Sequence, residues 1–148
     1  MRGYYFVLSL GLAVPVWIAA FFGVYVELIQ SPPFESIVAI LTAVLLFPVL
    51  EELVFRGLLW DLWGFFARNK AGLIASLSVK NCFISICFSS LHAINYGTLG
   101  ALLVFIPSLW LGWLRERSGS VKVCCLVHVL WNLGYVGVLF LGDTLTAS

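Results

Sequence analysis

The sequence carries very little charge for a chain of its length. Only 10% of its 148 residues are Asp, Glu, Lys or Arg, whereas 62% are hydrophobic. An average soluble domain has about 25% charged and about 45–50% apolar residues. This shortage of charge excludes a water-soluble globular domain and indicates an integral membrane protein that lies in the lipid bilayer. The net charge of +1 provides no basic surface, so nucleic acid is not an expected partner.

Common metal-binding and disulfide patterns are missing too. The four cysteines fall in apolar stretches, where oxidising machinery has little access: Cys82, Cys87, Cys124 and Cys125. No Cys-x-x-Cys or His-Glu-x-x-His spacing occurs. We interpret the cysteines as small core residues and expect no cofactor. Internal repeats and linkers are absent, so the chain is predicted to be one domain over 1–148.

The apolar runs predict an all-α fold, a polytopic transmembrane helical bundle with about five spans and kinked helices. The predicted spans cover residues 4–29, 37–63, 80–94, 99–113 and 121–141. Mid-helix prolines should kink the first, second and fourth spans, and Pro48 should also free backbone groups near the middle of the second. The first run is longer than the core of a signal peptide. We therefore favour a retained span over a cleaved signal sequence beginning at Arg2.

Basic residues in the predicted loops all lie on one side. If the five spans alternate in direction, one side holds Arg2, Arg68, Lys70, Arg115, Arg117 and Lys122, and the opposite loops hold no Lys or Arg. By the positive-inside rule, the basic side is cytoplasmic. We predict a cytoplasmic N-terminus and an external C-terminus, in a prokaryotic plasma membrane.

Glu51, Glu52 and Arg56 interrupt the second apolar run. Charged residues inside a membrane are costly, so they pair with one another or mark a functional site. On a helix, Glu52 and Arg56 stand four residues apart and can pair, whereas Glu51 points about 100° away. This pattern predicts an ion pair between Glu52 and Arg56, next to a Glu51 carboxylate that is available for catalysis. An ion pair that only locks two helices together is the alternative.

The remaining polar membrane residues are His92, His128 and Asn132. At 1.5 Å per residue, these three and Glu51 lie roughly 9–18 Å from the cytoplasmic boundary, so they can meet in one layer. His128 and Asn132 are four residues apart and share a helix face. A carboxylate and an imidazole can activate water for peptide hydrolysis, while further donors stabilise the oxyanion. A lone membrane histidine is often only a hydrogen-bonding contact between helices.

Three motifs occur in order on successive predicted helices: Glu51-Glu52-x-x-x-Arg56, Phe88-x-x-x-His92 and His128-x-x-x-Asn132. Residues 111–120 are similar to the stretch that precedes the last motif in the family concerned. The chain thereby resembles the CPBP family, the CAAX proteases and bacteriocin-processing enzymes also called the Abi family. The motif core is 37–134, and span 4–29 is additional.

This resemblance implies an intramembrane glutamate endopeptidase without a cofactor. In the implied roles, Glu51 and His92 activate water, His128 and Asn132 bind the oxyanion, and Glu52 with Arg56 supports the site. The implied substrate is a membrane-associated protein, cleaved near its membrane anchor or C-terminal tail. Short members of the family resemble the sorting-type, myxosortase-like branch, so we rank that branch first.

Two other functions fit the same residues. Glu51 or Glu52 with His92 and His128 could form a zinc site with an open water position, as in a metallopeptidase. The polar cluster could also serve packing in a non-catalytic membrane partner, such as an immunity protein. We favour hydrolysis because every motif position is filled.

Overall fold

The computed structural model describes residues 2–25, 36–66, 77–97 and 99–146. Within these ranges the chain is helical apart from short connections, which confirms the predicted all-α class. We number five helices in the described residues: α1 is Arg2–Tyr25, α2 covers 37–66, α3 is Val79–Tyr96, α4 is Phe105–Ser118 and α5 is Val121–Thr146. A 3-10 turn, Leu99–Val104, precedes α4.

Two helical stretches in the described residues are long and apolar enough to cross a membrane. They are Ile37–Trp63 in α2 and Val121–Gly142 in α5, and Gly3–Ile18 in α1 is a shorter apolar helix. Helices α3 and α4 occupy the positions of the predicted third and fourth spans without meeting the same criterion. Five spans therefore stay a prediction.

Some helix boundaries differ from those expected. The second span was predicted to end at residue 63, but α2 continues to Phe66. Residues 67–76 lie outside the described ranges, as do 26–29 of the first predicted span. Pro107 was expected to kink a span, but it lies in the first turn of α4. Proline is tolerated there because the first amides of a helix have no intrahelical acceptor.

Glycines in the left-handed conformation end α3 and α4. Gly97 has φ of 64° and Gly119 has φ of 68°. The Gly119 N–H also donates to the carbonyl of Arg115 at 3.0 Å, which satisfies one of the last open carbonyls of α4. These stops separate α3 from the next segment, and α4 from α5.

The chain forms two compact units, which we treat individually. The central unit is Glu51–Cys125, and the terminal unit combines Met1–Leu50 with Leu126–Ser148.

The core of the central unit lies between α2 and α3. Phe55, Trp60, Ile84 and Phe88 form its buried apolar cluster. Helix α3 also approaches α4 so closely that a Cβ at position 112, which is glycine, would collide with the Asn81 side chain. Asn81 is fully buried, and its Nδ2 donates to the Leu109 carbonyl at 2.9 Å. This contact ties α3 to α4.

In the terminal unit, two tryptophans join α1 to α5. Trp17 Nε1 donates to the carbonyl of Trp131 at 3.1 Å, and Trp131 Nε1 donates to the carbonyl of Ser9 at 2.9 Å. The Trp17 ring lies against Gly134, where a Cβ would collide with it. Each indole N–H thereby has a backbone acceptor on the neighbouring helix.

Candidate active site

Helix α2 carries its two glutamates between two π-helical segments. Thr42–Leu46 and Leu53–Leu58 are π-helical, and the α-helical segment Phe47–Glu52 lies between them. A π turn takes in one more residue than an α turn, has poorer hydrogen-bond geometry and is often kept at functional sites. Neither π-helical segment was predicted from the sequence.

The predicted pairing of Glu52 with Arg56 is confirmed. Arg56 Nη1 donates to Glu52 Oε1 at 3.1 Å, and both side chains are fully buried. Arg56 Nη2 also donates to the carbonyl oxygen of Ser108 at 2.7 Å and to its Oγ at 2.6 Å. The guanidinium carbon lies 5.0 Å from the centre of the Phe88 ring. A buried charge needs such a set of partners, because an unpaired one would be strongly destabilising.

Two residues that contact Arg56 were not predicted from the sequence. Ser108 binds its guanidinium group, and Arg115 Nε donates to its backbone carbonyl at 3.0 Å. Ser108 is a small polar residue within the apolar stretch before Trp113, and this was the sequence feature that could have drawn attention to it. Arg115 was counted only as a loop charge for topology.

Glu51 faces His92. Glu51 Oε1 lies 3.7 Å from His92 Nε2, and their side chains are 29% and 20% exposed. Glu52, the next residue along the chain, has no exposure at all. The two neighbouring carboxylates therefore occupy different surroundings, one partly exposed and one sealed, and such pairs can take different chemical roles.

The imidazole of His92 is fixed by Phe88. His92 Nδ1 lies 3.1 Å from the Phe88 carbonyl, and the two rings stack with centroids 4.3 Å apart. A carbonyl oxygen can only accept, so this hydrogen bond assigns a proton to Nδ1. In neutral His92, Nε2 is therefore the basic nitrogen, and it is the nitrogen that faces Glu51.

This geometry can hold and activate a water molecule. A separation of 3.7 Å between Glu51 Oε1 and His92 Nε2 is too long for a direct hydrogen bond. One water at about 2.8 Å from each atom would bridge them. Both atoms can accept a proton, so the bridging water would lie beside two bases.

Helix α5 carries His128 and Asn132 one turn apart, and both are partly buried. Asn132 Nδ2 donates to the backbone carbonyl of Ala43 at 3.2 Å. The amide of Asn132 is thereby oriented within the terminal unit.

Pro48 explains why the Ala43 carbonyl accepts this bond. In an α register the carbonyl would bond Phe47 N–H, but that amide bonds Thr42 O instead. In a π register it would bond the amide of residue 48, and proline has none. Asn132 thus replaces the missing backbone donor. The sequence predicted that Pro48 frees backbone groups, but not which residue would bind them.

Four of the six predicted site residues lie in the central unit. They form two adjacent pairs, Glu51 with His92 and Glu52 with Arg56. His128 and Asn132 belong to the terminal unit. Within the described residues, no three His, Cys, Asp or Glu side chains are grouped so that they could hold a metal ion.

Residues 33–134 match the family model described as type II CAAX prenyl endopeptidase Rce1-like. The match covers more than two thirds of the chain and contains all six predicted site residues. No curated protein and no solved structure matches the chain.

Proposed function

Since the chain belongs to the Rce1-like family of type II CAAX prenyl endopeptidases, a family of proteases, we propose that it is an intramembrane endopeptidase in which Glu51 and His92 activate the attacking water. The observation that carries this proposal is the 3.7 Å approach of Glu51 Oε1 to His92 Nε2, at the solvent-accessible edge of a membrane helix.

The proton moves between water, the pair and the substrate. As the water oxygen forms a bond to the peptide carbonyl carbon, the proton that it loses passes to the Glu51–His92 pair. The carbonyl oxygen then carries the negative charge of the tetrahedral intermediate. When the C–N bond breaks, the pair returns the proton to the leaving amine. Phe88 supports this cycle because its carbonyl keeps His92 Nε2 as the basic nitrogen.

Glu52 and Arg56 support the site without touching the substrate. Their side chains are sealed from solvent, and Ser108 holds the guanidinium group in place. We assign them the role of fixing the turn of α2 that presents Glu51. Because the Glu52 side chain is fully buried against Arg56, it is kept away from the substrate and out of the reaction.

We assign the stabilisation of the oxyanion to His128 and Asn132. Their spacing puts an imidazole and an amide on one face of α5. Asn132 Nδ2 carries two protons, and one of them bonds Ala43 O, which fixes the direction of the other. A donor that is oriented before the reaction costs no reorganisation when charge develops.

The proposed substrate is a membrane-associated protein cleaved near its anchor or C-terminal tail. Two classes fit reacting groups on a membrane helix: a prenylated C-terminal peptide, as the family description names, and a C-terminal anchoring tail, as in sorting-type enzymes. We rank the sorting-type substrate first. The predicted topology is a cytoplasmic N-terminus and an external C-terminus in a prokaryotic plasma membrane.

The function is tested with purified protein in lipid nanodiscs. Three substrates are offered: a prenylated peptide, the same peptide without the prenyl group, and a protein with a C-terminal membrane anchor. Mass spectrometry should find a cleaved product with the wild type and none with Glu51→Gln. Cleavage of the anchored protein alone supports the sorting-type branch, and cleavage of the prenylated peptide alone overturns that ranking. Equal cleavage by Glu51→Gln would overturn the mechanism.

A further inference from the structure

Arg115 of α4 makes its shortest polar contact with the backbone of α2. Its Nε donates to the carbonyl of Arg56 at 3.0 Å, whereas its Nη2 lies 3.7 Å from Asp61 Oδ1. The Asp61 side chain is 75% exposed, so solvent screens that ion pair and leaves it little weight. The Arg115 side chain is only 16% exposed. The bond to Arg56 is therefore its main interaction.

The carbonyl that Arg115 binds belongs to the π segment Leu53–Leu58. Where a helix changes between π and α register, backbone carbonyls are less well satisfied within the helix, and donors from outside stabilise the change. If this segment returned to an α register, the residues before it would shift by one helical position relative to the residues after it. That shift is about 100° around the helix axis and about 1.5 Å along it.

Helix α4 contacts Arg56 at two points. Ser108 binds the guanidinium group, and Arg115, two turns further along the same face of α4, binds the backbone carbonyl. Arg56 in turn holds Glu52 through the buried ion pair. Both points of contact therefore act on the turn of α2 that carries the two glutamates.

We propose that Arg115 is a positioning residue of the peptidase: its bond to the Arg56 carbonyl keeps α2 in the π register on which the separation of Glu51 and His92 depends. The inference rests on the proposed function, because Glu51 and His92 are the reacting groups assigned there. Arg115 acts through Arg56 and does not touch the substrate.

Two substitutions at position 115 separate the hydrogen bond from the charge. Arg115→Gln removes the charge and the contact with Asp61, but its amide nitrogen stands the same number of bonds from Cα as the arginine Nε and can still donate. Arg115→Met removes the donor as well. Arg117→Met is the matched control, because Arg117 is an exposed arginine of the same helix whose guanidinium lies over the Trp113 ring.

In nanodiscs, Arg115→Met should lower kcat roughly ten- to hundred-fold with little change in KM, because a misplacement of about 1 Å can cost about a hundredfold in rate. Arg115→Gln should recover most of the lost kcat, and Arg117→Met should match the wild type. An equal loss in Arg115→Gln and Arg115→Met would assign the effect to charge and overturn the inference. So would a wild-type kcat in Arg115→Met.

A readout without substrate keeps this inference distinct from the proposed function. The side-chain nitrogen NMR signals of His92, assigned by their loss in His92→Gln, should shift in Glu51→Gln and in Arg115→Met, but not in Arg117→Met. If these shifts occur while the wild type cleaves no substrate, the proposed function fails and the positioning of Glu51 stands. In the opposite case, Glu51→Gln is inactive and shifts the His92 signals, but Arg115→Met leaves these signals unchanged. The proposed function then stands and the positioning role of Arg115 is wrong.

Discussion

Glu51 and Glu52 are adjacent in the chain and differ completely in their access to solvent. The Glu51 side chain is 29% exposed beside His92, and the Glu52 side chain is sealed against Arg56. Neighbouring positions on a helix point about 100° apart, which lets one carboxylate face His92 at a partly exposed position and the other the protein interior. Substitution of each should therefore have a different consequence.

Glu51→Gln should abolish cleavage and leave the folded protein intact, because glutamine keeps the size of the side chain and loses its basicity. Glu52→Gln leaves a buried arginine without its counter-charge, and we expect a loss of about 3–5 kcal/mol in the free energy of unfolding. Cleavage assays and unfolding in detergent measure the two effects separately.

The control for the buried pair removes both charges. The double variant Glu52→Met, Arg56→Met should regain much of the stability lost in Glu52→Gln, because an apolar replacement of a buried ion pair is often neutral. A double variant no more stable than Glu52→Gln would show that the unpaired charge is not what destabilises the single variant.

Ser108→Ala should destabilise the protein by about 1–3 kcal/mol, because it removes an oxygen that accepts from a buried guanidinium group. Ser89→Ala is the matched control. Ser89 is also buried, but its hydroxyl donates to the Ile86 carbonyl of its own helix. Thermal unfolding in detergent should show the larger loss for Ser108→Ala. Equal losses would mean that the contact with Arg56 adds nothing.

The features of the site that depend only on local helix geometry could be predicted from the sequence. The spacing of Glu52 and Arg56 was enough to predict their ion pair, because neighbours four residues apart on a helix meet whatever the tertiary structure. The approach of Glu51 to His92 agrees with the depth argument, which placed both in one layer. The all-α class followed from the apolar runs alone.

The contacts that the sequence did not predict depend on how helices pack. Ser108 and Arg115 meet Arg56 through contacts between α4 and α2, and residue spacing along the chain does not predict such contacts. The π segments are also invisible in the sequence, since an α register is the default for the same residues. Pro48 indicated that backbone carbonyls of α2 would lack an amide donor. It did not indicate that Asn132 would donate to the Ala43 carbonyl.

Asn132 has a structural bond and a proposed catalytic role, and Pro48 allows the two to be separated. Asn132→Ala should cost about 1 kcal/mol in stability, because the Ala43 carbonyl loses its donor. In the Pro48→Ala background residue 48 has an amide that can bind this carbonyl, so the stability cost should shrink. The kcat should fall on the order of 10²–10³-fold in both backgrounds if Asn132 binds the oxyanion.

A double-mutant cycle of Pro48→Ala and Asn132→Ala provides the measurement. Unfolding in detergent gives the coupling in stability, and cleavage assays give the coupling in kcat. Recovery of activity in the Pro48→Ala, Asn132→Ala protein would show that Asn132 acts only through the Ala43 carbonyl and would remove it from the oxyanion site.

Reporter fusions test the topology. A reporter after Ser148 should report the external side, and one inserted at 68–70 should report the cytoplasmic side, because all six basic residues assigned to the loops lie on that side. The same side for both reporters would mean that the chain crosses the membrane an even number of times between them, which contradicts the predicted five spans.

Chelators separate the glutamate mechanism from a zinc peptidase. A zinc enzyme requires neutral imidazole ligands and loses activity when its metal is removed. In the proposed mechanism His92 shares a proton with Glu51, and its Nδ1 is already held by the Phe88 carbonyl. Purified protein should therefore cleave its substrate in excess EDTA or phenanthroline, with substoichiometric zinc by elemental analysis. Activity that is lost with chelator and restored by zinc, together with about one ion per chain that disappears in His92→Ala and His128→Ala, would make this protein a metallopeptidase.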